Sequence, residues 1–271
     1  MTAYFMNLSP LEQALIATIF TWLLTGVGAA LVFTTRDINM KLFDSMLGFA
    51  GGVMVAASFW SLLLPAFEMS GVYNDPAWLP VAGGFAAGGT FLAIANRLLP
   101  HLHPTAFPET AEGHHPERKK RSTLLVFAIT LHNIPEGFAI GIAFGGAAAG
   151  MPSATLAGAG ALVLGIGLQN IPEGAAVSMP LRRDGLSRRK SFLIGHFSGM
   201  MEPIAAVFGV LAVSLVEPLL PFALGFAAGA MIFVVVEEVI PGSQENGNKN
   251  VATICLLGGF LLMTVLVEVI G

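Results

Sequence analysis

Long apolar runs, cut by short polar or Pro/Gly-rich breaks, make up almost the whole chain. Eight of them reach the length of about 20 residues that a helix needs to cross a bilayer core: roughly 8–33, 42–67, 77–99, 123–147, 154–181, 191–215, 219–241 and 250–270. None alternates with period two, and each is too long for a barrel strand, so helices that satisfy their own backbone groups are predicted. The expected fold class is an all-α polytopic membrane protein, with eight transmembrane helices forming a single transmembrane domain over residues 1–271. The first run lacks a basic leader and a small-residue cleavage site, so it reads as a retained span and not as a signal peptide.

Composition narrows the class further. Charged residues are 11% of the chain, against about 25% in soluble domains; hydrophobic residues are 55%, and the mean hydropathy is +0.76. The net charge of -4 excludes a broad basic surface, and with it nucleic acid as a partner. A single cysteine, Cys255, excludes an internal disulfide or a thiolate metal cluster.

The basic residues set an orientation, because short loops rich in Lys and Arg stay cytoplasmic. Arg36 and Lys41 follow the first run; Arg97 and the cluster Arg118, Lys119, Lys120 and Arg121 lie between the third and fourth. Arg182, Arg183, Arg188, Arg189 and Lys190 separate the fifth and sixth, and Lys249 precedes the eighth. All 13 therefore fall on one side of eight spans, which puts both termini outside the cytoplasm in an integral protein of, by expectation, the bacterial inner membrane. The cytoplasmic loop 100–122 holds His101, His103, His114 and His115. Clustered histidines suit loop metal binding, and a solvated linker is the other reading.

Two segments recur. LGFAGGVM at 47–54 returns as LGFAAGAM at 224–231, and HNIPEG at 132–137 returns as QNIPEG at 169–174. Each pair lies in spans of opposite direction, and inverted repeats in membrane proteins place a binding site at the midplane between the halves. A 3+2+3 inverted-repeat arrangement is expected, in which spans 1–3 exchange with 6–8 and span 4 with 5.

Ionisable residues within spans are costly and mark functional sites. Glu136, Glu173 and Glu202 fall well inside their runs, with Glu237 and Glu238 toward the end of the seventh, while no basic side chain lies deep in any run. Either protons or a passing cation must neutralise these carboxylates. The local spacing favours a cation: His132, Asn133 and Glu136 share one helix face, as do Gln169, Asn170 and Glu173. Pro135 and Pro172 also release the carbonyls of Leu131 and Leu168 from helical hydrogen bonding. An imidazole, amide oxygens and carboxylates suit zinc, iron(II) or manganese better than potassium or chloride.

HNIPEG, QNIPEG and HFSGMMEP at 196–203 together resemble the ZIP (Zrt/Irt-like) family of divalent metal transporters, in its prokaryotic GufA-like branch. The resemblance covers nearly the whole chain and implies metal uptake toward the cytoplasm through a midplane site, often binuclear. It implies a primary metal site of His132, Glu136, Gln169 and Glu173, with Met54 as a soft ligand or as simple packing. A second site of Asn133, Asn170 and Glu202 would be bridged by Glu136 and Glu173. Many relatives carry an acidic residue at the position of Asn170, so this second site has one carboxylate fewer. Glu68, Asp44, Glu237, Glu238 and His196 match an entrance and exit pathway.

The partners expected are divalent metal ions, zinc first and then cadmium, iron(II) or manganese, together with the lipid bilayer; a homodimer is admitted. No cofactor is expected beyond the transported metal. Enzyme activity is not expected, since an intramembrane metal hydrolase would use HExxH and the chain has neither that motif nor GxSxG. A metal-selective channel stays open, because a file of carboxylates also fits conduction.

Overall fold

The computed structural model describes residues 5–34, 39–73, 76–98, 116–151, 154–183, 185–215 and 217–270. The loop histidines His101, His103, His114 and His115 lie outside them, as does the side chain of His132. Among the described residues the protein is helical, with no strand. The helices used below are α1 (Pro10–Ala29), α2 (Met40–Ala57), α3 (Leu64–Tyr73), α4 (Trp78–Leu98), α5 (Pro116–Ala148) and α6 (Leu156–Arg183). They are followed by α7 (Arg188–Ser198), α8 (Met201–Leu215), α9 (Leu220–Val234), α10 (Ile240–Gln244) and α11 (Lys249–Ile270).

Local chemistry sets several of the ends. Ser9 and Glu12 form a capping box ahead of α1, with Pro10 in the first turn, where its missing N–H costs nothing. Asn39 caps α2 through the Leu42 amide, and Ser187 caps α7 through the Lys190 amide. The tight connections after α5 and α6 pass through Gly150 and Gly185, at φ 67° and 95°, a left-handed conformation that glycine adopts without a steric penalty.

Among the described residues, six helical rods are long and apolar enough to cross a membrane: Pro10–Thr34, Met40–Gly71, Trp78–Ala95, Arg188–Val213, Leu220–Gln244 and Lys249–Ile270. The remaining two of the eight expected spans correspond to α5 and α6, of 33 and 28 residues. These carry HNIPEG and QNIPEG. Both run through Pro135 and Pro172 as continuous helices.

Three rods depart from a plain α-helix. A π turn at Ser58–Leu63 joins α2 to α3, and another at Val235–Val239 joins α9 to α10. The run expected at 191–215 is broken at Gly199 and Met200, so Glu202 falls in the first turn of α8.

The helices associate most closely in four pairs: α4 with α9, α2 with α11, α5 with α8 and α1 with α6. Glycine explains each crossing. A Cβ at Gly48 or Gly52 of α2 would fall 2.3 or 1.9 Å from the Ala252 or Leu256 carbonyl oxygen of α11. At Gly225 and Gly229 of α9 the equivalent distances to the Val81 and Phe85 carbonyls of α4 are 2.4 and 2.0 Å. Gly137 and Gly141 of α5 meet the carbonyls of Glu202 and Ala206, and Gly174 of α6 meets that of Thr25. Such small-residue contacts replace the hydrophobic drive that lipid cannot supply between helices.

Candidate metal centre

The two NIPEG motifs meet where α5 and α6 face each other beside α1 and α8. Asn133, Glu136, Gln169, Asn170, Glu173 and Glu202 are all buried, between 0 and 4% exposed. Burying so many polar groups in one place is expensive unless partners satisfy them, so their hydrogen bonds define the site.

Gln169 donates through Nε2 to Glu136 Oε1, tying α6 to α5. Asn170 Nδ2 donates both to the Thr21 carbonyl at 3.0 Å and to Glu202 Oε1 at 2.8 Å. Thr21 Oγ1 donates to Glu202 Oε2. Asn133 Nδ2 donates to the Ser198 carbonyl at 2.9 Å. Glu173 lies within electrostatic reach of Glu202.

The amides matter for what they leave over. Each faces an acceptor with its NH2 group, which fixes its orientation and turns its oxygen away. Asn133 Oδ1, Gln169 Oε1 and Asn170 Oδ1 are buried and receive no hydrogen bond. Three oxygens of this kind beside three glutamates form a strongly electronegative pocket, and among the described residues no Lys or Arg is buried to balance it. Oxygen donors of this kind suit a divalent cation.

Among the described residues no three His, Cys, Asp or Glu side chains stand close enough to hold a metal as they are. Donors already engage two of the carboxylates: Gln169 at Glu136, and Asn170 with Thr21 at Glu202. Met54, fully buried on α2, belongs to the main apolar core.

The outlying residues are distributed differently. Asp44, near the start of α2, is fully buried, and its two oxygens accept from Asn246 Nδ2 at 2.8 Å and Asn248 Nδ2 at 2.9 Å. It thereby clamps the loop between α10 and α11. His196 is half-buried, stacked between Trp22 and Phe192 with centroids 5.0 and 5.8 Å away. Glu68 is exposed on α3.

Glu237 and Glu238, expected toward the end of the seventh run on the entrance and exit pathway, are exposed and half-buried respectively. The π turn gives the inward face to Val235 and Val239 instead. Thr21 was not expected at the site at all. Its signal is the stripe Thr18, Thr21 and Thr25 on one face of α1, all buried.

A membrane-embedded, carboxylate-and-amide site of this kind defines an integral membrane protein that handles cations. A sequence model described as ZIP zinc transporter matches residues 11–267, and the chain belongs to the ZIP family, one of transporters and not of enzymes. It is similar to the zinc transporter ZIP11 of Bos taurus, at 41% identity over 94% of this chain and 96% of the relative. It is 39% identical to the zinc transporter GufA of Myxococcus xanthus, over 93% of this chain and 96% of that one. The zinc transporter ZIPB of Bordetella bronchiseptica is also 39% identical, over 91% of this chain and 78% of its own.

Proposed function

We propose that this protein moves divalent transition-metal ions, zinc foremost, across the bacterial inner membrane into the cytoplasm. The observation that carries this reading is the unfinished coordination between α5, α6 and α8: three buried glutamates and three amide oxygens without donors, with no buried basic side chain among the described residues. The relatives are zinc transporters, which supports the choice of ion.

In this reading Glu136 and Glu173, with His132, Gln169 and the soft sulfur of Met54, take the ion first. Asn133, Asn170 and Glu202 form the second position. Glu68 serves the outer approach, Glu237 and Glu238 the inner one, and the loop histidines collect metal on the cytoplasmic side. Ligands of moderate strength suit a site that must release its cargo.

The same reading assigns eight spans with both termini outside and an inverted 3+2+3 arrangement. Exchange of spans 1–3 with 6–8, and of 4 with 5, carries the α4–α9 pair onto α11–α2 and the α5–α8 pair onto α6–α1, as the pairing requires. Each repeated octapeptide begins eleven residues before a π turn, Leu47 before Ser58 and Leu224 before Val235. Asn133 bonds the Ser198 carbonyl as Asn170 bonds that of Thr21. These correspondences support an inverted repeat more strongly than shared Gly/Ala composition does.

Zinc uptake into proteoliposomes tests the assignment. Glu136→Ala and Glu173→Ala should each abolish saturable uptake while the protein still elutes as a folded species; wild-type uptake by both would remove the site. Uptake rising linearly with zinc gradient, without saturation, would assign a channel instead.

A further inference from the structure

We infer that Thr21, on α1, is a positioning residue for the metal site: its hydroxyl holds the Glu202 carboxylate in the orientation that receives the cation. The inference rests on the reading of Glu202 as a metal ligand.

Glu202 is fully buried and both of its oxygens are engaged, Oε1 by Asn170 Nδ2 at 2.8 Å and Oε2 by Thr21 Oγ1. A carboxylate has about four lone-pair positions, so one donor on each oxygen leaves a free lone pair on each and fixes the direction in which it points. Asn170 and Thr21 are themselves joined, because Asn170 Nδ2 also donates to the Thr21 carbonyl at 3.0 Å. Thr21, Glu202 and Asn170 therefore form a closed ring, in which turning the Glu202 carboxylate or the Asn170 amide breaks two contacts and turning the Thr21 hydroxyl breaks one. Asn170 sends its NH2 into that ring and leaves its own Oδ1 buried without a donor.

Thr21 is chemically fit for this task. A threonine in a helix ordinarily spends its hydroxyl on a carbonyl of the preceding turn, as Thr18 does on Ala14 at 2.7 Å. Thr21 has such an acceptor too, the Thr18 carbonyl at 3.1 Å, but a hydroxyl has only one proton to give. Bonding Glu202 engages that proton across the helix interface, and the Thr18 carbonyl remains as the alternative when a cation draws electron density from the carboxylate. Thr21 thus reaches the metal only through Glu202, and it ties α1 to α8 at the site.

Outer hydrogen-bond partners of metal ligands commonly contribute about 10- to 100-fold in metal affinity or activity. Thr21→Val, nearly isosteric but lacking the hydroxyl, should raise the zinc Kd of the purified protein and the KM for uptake by at least about tenfold, with a smaller change in maximal rate. Thr21→Ser should restore both to near wild type. Thr18→Val is the matched control on the same buried face, since its hydroxyl bonds only its own helix in the Ala14 and Leu15 carbonyls; it should leave Kd unchanged.

The decisive measurement is zinc binding in a double-mutant cycle with Glu202→Gln. If Thr21 works through Glu202, Thr21→Val has no further effect in the Glu202→Gln background. Equal penalties in both backgrounds, an unchanged Kd in Thr21→Val, or failure of Thr21→Ser to rescue would each overturn the inference. A wild-type protein that neither binds nor takes up zinc would instead overturn the functional reading beneath it.

Discussion

Replacing Gly174 with alanine tests the coupling of helix packing to the site with one methyl group. The added Cβ would lie 2.0 Å from the Thr25 carbonyl oxygen and 2.8 Å from the Ala29 nitrogen, so both obstacles are backbone atoms. Real Cβ contacts require about 3.0 Å or more, so α1 and α6 must separate by about 1 Å at this crossing. One turn along the same pair of helices, Asn170 Nδ2 meets the Thr21 carbonyl at 3.0 Å. The same separation stretches that bond to roughly 4 Å, beyond hydrogen-bonding range. Overpacking of this kind costs about 1–3 kcal/mol, and loss of the bond leaves buried polar groups unpaired at about another 1–3 kcal/mol.

The assay pairs a thermal melt in detergent with zinc uptake in proteoliposomes, using Gly160→Ala as the control. Gly160 lies on the same helix, and a Cβ there meets nothing within 4 Å. Alanine at 160 should hold or raise the melting temperature through helix propensity. Alanine at 174 should lower it and weaken zinc affinity. A Gly174→Ala protein that melts and transports like wild type would refute the link between close packing and the geometry of the site.

Two further outcomes follow. Asn170→Asp turns the contacts with Glu202 and the Thr21 carbonyl into oxygen facing oxygen, so the metal-free variant should melt below wild type and gain more on adding zinc, because a ligand stabilises only the state that it binds; equal zinc-induced shifts would contradict this. Asp44→Ala removes the acceptor of both Asn246 and Asn248 and should lower the melting temperature by an amount corresponding to about 1–3 kcal/mol with the zinc KM unchanged; a raised KM with an unchanged melt would assign Asp44 to the transport path instead.

What could be read in the sequence depended on how strongly each feature departs from its surroundings. HNIPEG and QNIPEG stand out because carboxylates and amides in apolar helices are costly, and the helices place these residues together as their spacing implied. The π turns left no mark, since one extra apolar residue in a turn does not change hydropathy. Glu237 and Glu238 fall in the second of them, where Val235 and Val239 are the buried residues. The break before Glu202 is signalled only by Gly199, one of 32 glycines and so uninformative alone. Thr21 was hidden because its neighbours Thr18 and Thr25 bond their own helix, and composition cannot tell which threonine reaches across.

The four glycine crossings have a mechanical meaning. Within α1–α6 and α5–α8 the backbones touch, at Gly174 against Thr25 and at Gly137 and Gly141 against Glu202 and Ala206. Between the two pairs, the seam is stitched by Gln169 to Glu136, and by Asn170 and Thr21 to Glu202. The two pairs are thus held internally by backbone contact, whereas the joint between them is made of side-chain hydrogen bonds, which can lengthen or turn without forcing backbones apart. Under the proposed function the cargo binds at this seam, where side chains and not backbones carry the contact between the pairs.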